Sequence, residues 1–174
     1  MNKTSWVLLA MLLGVVLTRS GQRGGPQLNR AAPEIKAPLL SGGDFHSNEQ
    51  KGKVILLDFW ATWCPPCRAS LPALSAVAEH YKGSADVWVG GVNKERLSAQ
   101  RLRDFLSDMK VSAPVILDRR GQVNARYQVS ALPTMVLIGK DGLVKKTQVG
   151  LPFTNPNRLA QHLIKLIEEA RSAP

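Results

Sequence analysis

The chain has little cysteine, little histidine and only one apolar run of any length. Its 174 residues include two cysteines and three histidines. The histidines, His46, His80 and His162, stand alone and no second cysteine pair exists, so the ligand set of a zinc site is missing. Fourteen glycines and 11 prolines are scattered, which excludes a collagen-like or disordered chain. A single apolar run excludes a multi-span membrane protein. Within the expected domain there is no internal repeat and no low-complexity stretch. The net charge is +10, but no arginine-rich block or aromatic-interleaved basic patch accompanies it, so no nucleic-acid partner is implied. Lys3, Arg19, Arg23 and Arg30 lie ahead of the domain and leave it about +6, a mild, solvated basicity. Arg96, Arg101, Arg103 and Lys110 lie on or beside a predicted helix, where alternating charge marks a wet face.

The apolar run is Trp6 to Leu17, preceded by Lys3, which is the layout of an export signal. Twelve apolar residues fall short of the roughly 20 that a spanning helix needs, so length favours a signal peptide. No A-x-A-like cleavage site follows; the nearest triplet, Thr18-Arg19-Ser20, has a bulky charge in its middle. Arg19, Arg23 and Arg30 after the run oppose a cytoplasm-in anchor under the positive-inside rule. Residues 1–20 are therefore read as a signal peptide or an N-terminal membrane anchor. Residues 21–33, rich in Gly, Pro and polar side chains, read as a linker of poorly ordered backbone, and residues 34–174 as one domain.

With 44% hydrophobic and 21% charged residues, that domain is long enough to bury a core. Val54 to Phe59 is a near-continuous apolar run of strand length, as a central strand covered on both faces requires. The period then changes. Leu71, Leu74, Val77, Ala78 and Tyr81 recur three or four apart and predict an amphipathic helix over Cys67 to Lys82, ending at Gly83. Further strands are predicted at Val87 to Val92, Pro114 to Leu117, Met135 to Ile138 and Leu143 to Val149, and helices at Ser98 to Met109 and Pro156 to about Arg171. Gly139-Lys140-Asp141-Gly142 reads as the connection of a hairpin. Strands alternating with helices and closing on a hairpin describe an α/β sheet, parallel in its first half and antiparallel at one edge.

Both cysteines lie in Trp63-Cys64-Pro65-Pro66-Cys67, directly after the predicted core strand and at the opening of a helix, the context that makes C-x-x-C informative. Free amide N–H groups and the positive end of the helix dipole stabilise a thiolate at Cys64, and such placement lowers a cysteine pKa to roughly 3.5 to 7.5. Cys67, one turn on, is sited to attack the Cys64 sulfur in a mixed disulfide. A purely structural bond is a poor alternative, since closing so short a loop is worth only about 1.9 kcal/mol against about 3 for fifteen residues. A haem attachment motif needs histidine after the second cysteine, where Arg68 stands. Asp58, a lone carboxylate in the apolar strand, is either a proton acceptor for Cys67 with a pKa raised by burial or a hydrogen-bonded structural carboxylate. Pro133, just before a strand, is a candidate cis peptide, with a trans turn as the commoner alternative.

These residues resemble the thioredoxin superfamily, and within it the TlpA/ResA/CcmG-like branch of exported thiol-disulfide oxidoreductases. The resemblance runs from about Ala37 to Arg171. It rests on KGKVILLDFWATWCPPCRASLPAL, on VNKE ending at Glu95 with a helix after it, and on SALPTMVLIGKDG. It implies a thioredoxin-like fold, a central mixed sheet flanked by helices with a C-terminal hairpin and helix, in which Cys64 attacks, Cys67 resolves and Pro133 is cis and faces the cysteines. Trp63, Pro65, Pro66, Leu132 and Pro133 would line the substrate groove. Asp58 looks like the buried aspartate of thioredoxin, where the exported branch often carries asparagine. Glu95 resembles the acidic residue that the branch places near its site, although aligning it takes a one-residue shift; otherwise it is an ordinary charge at the start of a helix.

The function implied is reduction of disulfides in exported proteins, including apocytochrome c, in the periplasm or at the outer face of the cytoplasmic membrane. A membrane electron donor of the DsbD/CcdA type would serve it, a membrane tether would hold it in place, and no cofactor or metal is required. Two other readings use the same residues: a redox-linked chaperone or apocytochrome-binding module, and a thiol peroxidase. Peroxiredoxins carry a threonine three residues before their cysteine, whereas Thr62 is two before Cys64. The direction expected is reduction, because strong oxidants often place a histidine between the cysteines and here both intervening residues are proline.

Overall fold

A computed structural model describes residues 25–173. The N-terminal apolar run, read as signal or anchor, lies outside the described residues. No helix among them is long and apolar enough to cross a membrane.

The apolar run forms β3 (Val54–Trp60), and all seven of its residues are buried. It is the middle of a five-stranded sheet that also holds β4 (Val87–Asn93), β5 (Val115–Leu117), β6 (Thr134–Ile138) and β7 (Val144–Val149), in the order β5-β4-β3-β6-β7. β3 runs parallel to β4, and β4 to β5, while β6 is antiparallel to both β3 and β7. The antiparallel part thus spans two strand pairs. Side chains alternate across β3, so Leu56 and Trp60 enter one core with Cys64, Cys67, Leu71, Leu74, Leu159 and Leu163, while Ile55, Leu57 and Phe59 enter the other with Phe45, Ile116, Val136 and Tyr127. Burial on both faces explains why this strand shows no polar alternation.

The helix after β3, α1 (Pro65–His80), starts two residues earlier than its apolar spacing indicates. Two prolines at its start fit the first turn, where an N–H has no intrahelical partner and φ is already helical. Its C-cap is Tyr81, and Gly83 follows with φ 78°. α2 (Ala99–Asp108) is capped by the Ser98 side chain and α4 (Pro156–Ser172) by that of Asn155. β5 begins at Val115, because Pro114 has no N–H to give and offers only its carbonyl, which accepts the Gly91 N–H at 2.8 Å.

Three short features escape the sequence patterns. β1 (Lys36–Pro38) and β2 (Asp44–His46) form a small antiparallel pair, and α3 (Gln122–Arg126) is a five-residue helix. Each is too short to display a period. The final part of the expected linker is also tied down. Asn29 N–H donates to the Val144 carbonyl at 2.8 Å, Val144 N–H returns to Arg30 at 2.9 Å, and Ala32 N–H reaches Gly142 at 2.9 Å. At the far end of the chain, Arg171 of α4 bonds Asp86 at 3.1 Å and Glu168 at 2.9 Å, and Tyr81 donates to Glu168 at 2.6 Å, so α4 is fastened beside the entrance to β4.

Glycine in β4 has a packing reason. Gly91 lies opposite Asp58, and a Cβ there would stand 2.5 Å from the indole nitrogen of Trp60. The missing side chain lets Trp60 lie over β4, where its other face stacks on Phe105 of α2 at 5.9 Å.

Candidate redox site

β3 leaves the core at Trp60, and four residues later Cys64 is the N-cap of α1, in extended conformation with φ −94° and ψ 104°. Its side chain does what an N-cap side chain does: Cys64 Sγ accepts the N–H of Cys67 at 3.2 Å. The sulfur therefore sits where α1 presents free N–H groups and its positive end, both of which favour a thiolate over a thiol. Cys64 and Cys67 are joined in a disulfide, with their Cα atoms 5.3 Å apart. Cys64 is 4% exposed and Cys67 0%, so Cys64 is the more accessible of the two. Trp63, at 65% exposed, and the exposed Pro65 and Pro66 stand around it.

Thr134, the first residue of β6, pairs with Phe59 near the end of β3. That register brings the preceding Leu132 and Pro133 to the end of the sheet from which the Trp60–Cys64 turn departs. The Leu132–Pro133 peptide is cis. Pro133 is buried and its carbonyl accepts the Gly150 N–H at 2.9 Å, and the Thr134 hydroxyl donates to Ala131 at 2.8 Å. Leu132 is half-buried and packs against both cores.

Asp58 is fully buried. Its Oδ2 lies 3.1 Å from the Ser70 hydroxyl, which is also 2.9 Å from the Cys67 carbonyl, and its Oδ1 has no hydrogen-bond partner among the described residues. Loss of hydration pushes its pKa up to about 7, and the Ser70 hydrogen bond opposes that only in part. A carboxyl that titrates near neutrality beside a thiol-disulfide pair is equipped to take and return a proton.

Glu95 is brought to the site, though to its backbone. Its carboxylate accepts the Thr62 N–H at 2.6 Å, the Thr62 hydroxyl at 2.9 Å and the Asn93 amide at 3.0 Å, while its own N–H donates to Asn93 Oδ1 at 3.0 Å. It holds the turn that enters Cys64. Thr62, Asn93 and Ser70 are site neighbours that sequence patterns did not single out; the one available signal was Ser70's place three residues after Cys67, on the same helix face.

The profile of the AhpC/TSA family matches residues 28–147. Sporulation thiol-disulfide oxidoreductase A of Bacillus subtilis is 29% identical over 156 residues, spanning 88% of this chain and 93% of its own. Thiol-disulfide oxidoreductase ResA of Geobacillus kaustophilus is 32% identical over 120 residues, 68% of this chain and 67% of its own. Among solved structures, a putative thiol:disulfide interchange protein DsbE from Chlorobium tepidum superposes with a TM-score of 0.69 at 29% identity, covering 82% of this chain and 99% of that one.

Proposed function

The chain belongs to the AhpC/TSA family and is a thiol-disulfide oxidoreductase of thioredoxin-like fold, and from that premise we propose that it reduces disulfides of exported proteins through attack by Cys64 and resolution by Cys67. The observation that carries the proposal is the place of Cys64 Sγ at the N-terminus of α1, accepting the Cys67 N–H at 3.2 Å. In the first step the Cys64 thiolate bonds to one sulfur of the substrate disulfide, and the other leaves with the electron pair of the broken bond. In the second, ionised Asp58 takes the Cys67 proton, the Cys67 sulfur bonds to Cys64 Sγ, and the second substrate sulfur leaves as thiolate. The substrate has gained two electrons, and the protein is left with the Cys64–Cys67 disulfide.

Glu95 acts as a positioning residue: by holding Thr62 it aims the turn that carries Cys64. Trp63, Pro65, Pro66, Leu132 and Pro133 form the surface for the substrate polypeptide. The exposed Trp63 supports that use, and it also favours a second reading in which the same groove chiefly holds a peptide, as a redox-linked chaperone or apocytochrome-binding module would. Catalytic turnover of insulin disulfides separates the two. A peroxidase use gains no support, since the Thr62 hydroxyl donates to Glu95.

The direction rests on Pro65 and Pro66, which supply no N–H and no charge for further thiolate stabilisation. The dithiol is then a reductant, with a potential below about −200 mV rather than near the −120 mV of a strong oxidant. Working outside the cytoplasm, tethered or released by residues 1–20, it would draw electrons from a membrane donor of the DsbD/CcdA type, with disulfides of cytochrome c maturation among its substrates. Equilibration with defined glutathione ratios tests the direction. A potential above about −150 mV, with efficient oxidation of a reduced test protein, would reverse it.

A further inference from the structure

The Ser70 hydroxyl has one proton and two acceptors in reach. It lies 2.9 Å from the Cys67 carbonyl, within α1, and 3.1 Å from Asp58 Oδ2, across the contact between β3 and α1. Ser70, Cys67 and Asp58 are all 0% exposed. A hydroxyl donates once, so the other contact becomes a hydrogen bond only if the other partner donates. A carbonyl never donates; a protonated carboxyl does. With Asp58 protonated, its O–H serves Ser70 Oγ while Ser70 serves the Cys67 carbonyl. With Asp58 ionised, Ser70 is the only donor near either carboxylate oxygen among the described residues and turns to Oδ2, since Oδ1 has no partner among them.

We propose that Ser70 is a positioning residue that couples Asp58 to Cys67, its hydroxyl moving from the Cys67 carbonyl to Asp58 when the carboxyl ionises and back when it is protonated. The coupling rests on the reading of Asp58 as the base for Cys67. A proton arriving on Asp58 from the resolving thiol returns the hydroxyl to the backbone of the cysteine that has just reacted. The residues packed directly around Asp58 are mostly uncharged. Asp58 pairs with Gly91 on β4 and Met135 on β6, and the buried residues of α1 and α4 are apolar except Cys67, Ser70 and Ser75. His162 of α4 and Lys146 of β7 line a small cavity with Leu56, Met135 and Leu163, and they are the titratable side chains among its described lining residues. Burial raises the Asp58 pKa and the Ser70 hydrogen bond is the contact that lowers it.

The experiment follows the Asp58 carboxyl and the Cys67 carbonyl carbon by 13C NMR across pH in the full-length oxidised protein, with D58N identifying the carboxyl signal. In the parent protein the two signals titrate with one midpoint. In S70A the Asp58 midpoint rises by about one pH unit, a tenfold change from losing a hydrogen bond to the charged form, and the Cys67 carbonyl ceases to titrate. Alanine is the better helix former, and S70T, which keeps the hydroxyl, restores the co-titration. The pH profile for resolving a Cys64 mixed disulfide moves with the Asp58 midpoint in S70A and is insensitive to S70A in a D58N background. An Asp58 midpoint unmoved by S70A, or a Cys67 carbonyl in the parent that does not titrate with it, overturns the coupling. A D58N pH profile identical to the parent's would instead remove Asp58 as the base, a separate failure.

Discussion

The carboxylate of Glu95 holds Thr62 by two bonds, from its N–H at 2.6 Å and from its hydroxyl at 2.9 Å, across 33 residues of sequence. The end of β4 thereby fixes the turn at the end of β3, two residues before Cys64. An N–H that loses such an acceptor is costly, because bonds to a charged group are the stronger kind. Glu95→Ala is expected to lower stability by about 1–3 kcal/mol in urea and to slow insulin reduction, with Glu95→Gln retaining part of both. Activity that survives Glu95→Ala at the parent level would show that the turn needs no support from β4.

Asp58 makes stability depend on pH in an unusual direction. Its folded pKa is raised from 3.8 to about 7, so between those values the folded state binds more protons than the unfolded one. Stability is therefore complete below about pH 4 and falls as pH rises through about 7, by a loss on the order of 4 kcal/mol. Asp58→Asn should flatten that dependence, leaving the variant the more stable protein at pH 8 and little changed at pH 4. Denaturant titrations at the two pH values check it; equal pH slopes in both proteins would contradict the burial argument.

The two cysteines should differ in reactivity once the disulfide is reduced. Cys64 lies at the helix opening and is the more exposed, so iodoacetamide should label it first, with an apparent pKa below the free value of about 8.5. Cys67→Ser should accumulate a mixed disulfide with substrate, visible by mass spectrometry, and identify the partner trapped. Preferential labelling of Cys67 would exchange the two roles.

Among the described residues, Trp63 is the one large aromatic at the site that faces solvent. Its removal should cost little stability, since little of its area is buried. Trp63→Ala should raise KM for a protein disulfide several-fold, and more than for a small disulfide such as oxidised glutathione. Equal effects on both substrates would place Trp63 in the turn's geometry rather than in polypeptide binding.

Much of this was legible in the sequence for a local reason. β3, β4, β6 and the three longer helices announce themselves because a strand buried on both faces must be apolar throughout and a helix must repeat its apolar residues every three or four, while β7, a half-exposed edge strand, is legible from the Asp-Gly hairpin connection before it. The strand-to-helix position of Cys64 and Cys67, and the oddity of a carboxylate at Asp58, come from the same local patterns. The sequence could not say that Glu95 meets Thr62 or that Asp58 meets Ser70. Hydrogen-bond partners 33 and 12 residues apart are chosen by sheet register and by the packing of α1 on β3. Nor could it show that Asn29 to Ala32 pair with the start of β7, because a short polar segment carries no period to reveal which backbone it will meet. Burial periods fix which face of an element turns inward; the tertiary structure alone decides what that face then touches, and with it which side chains hold the turn into Cys64.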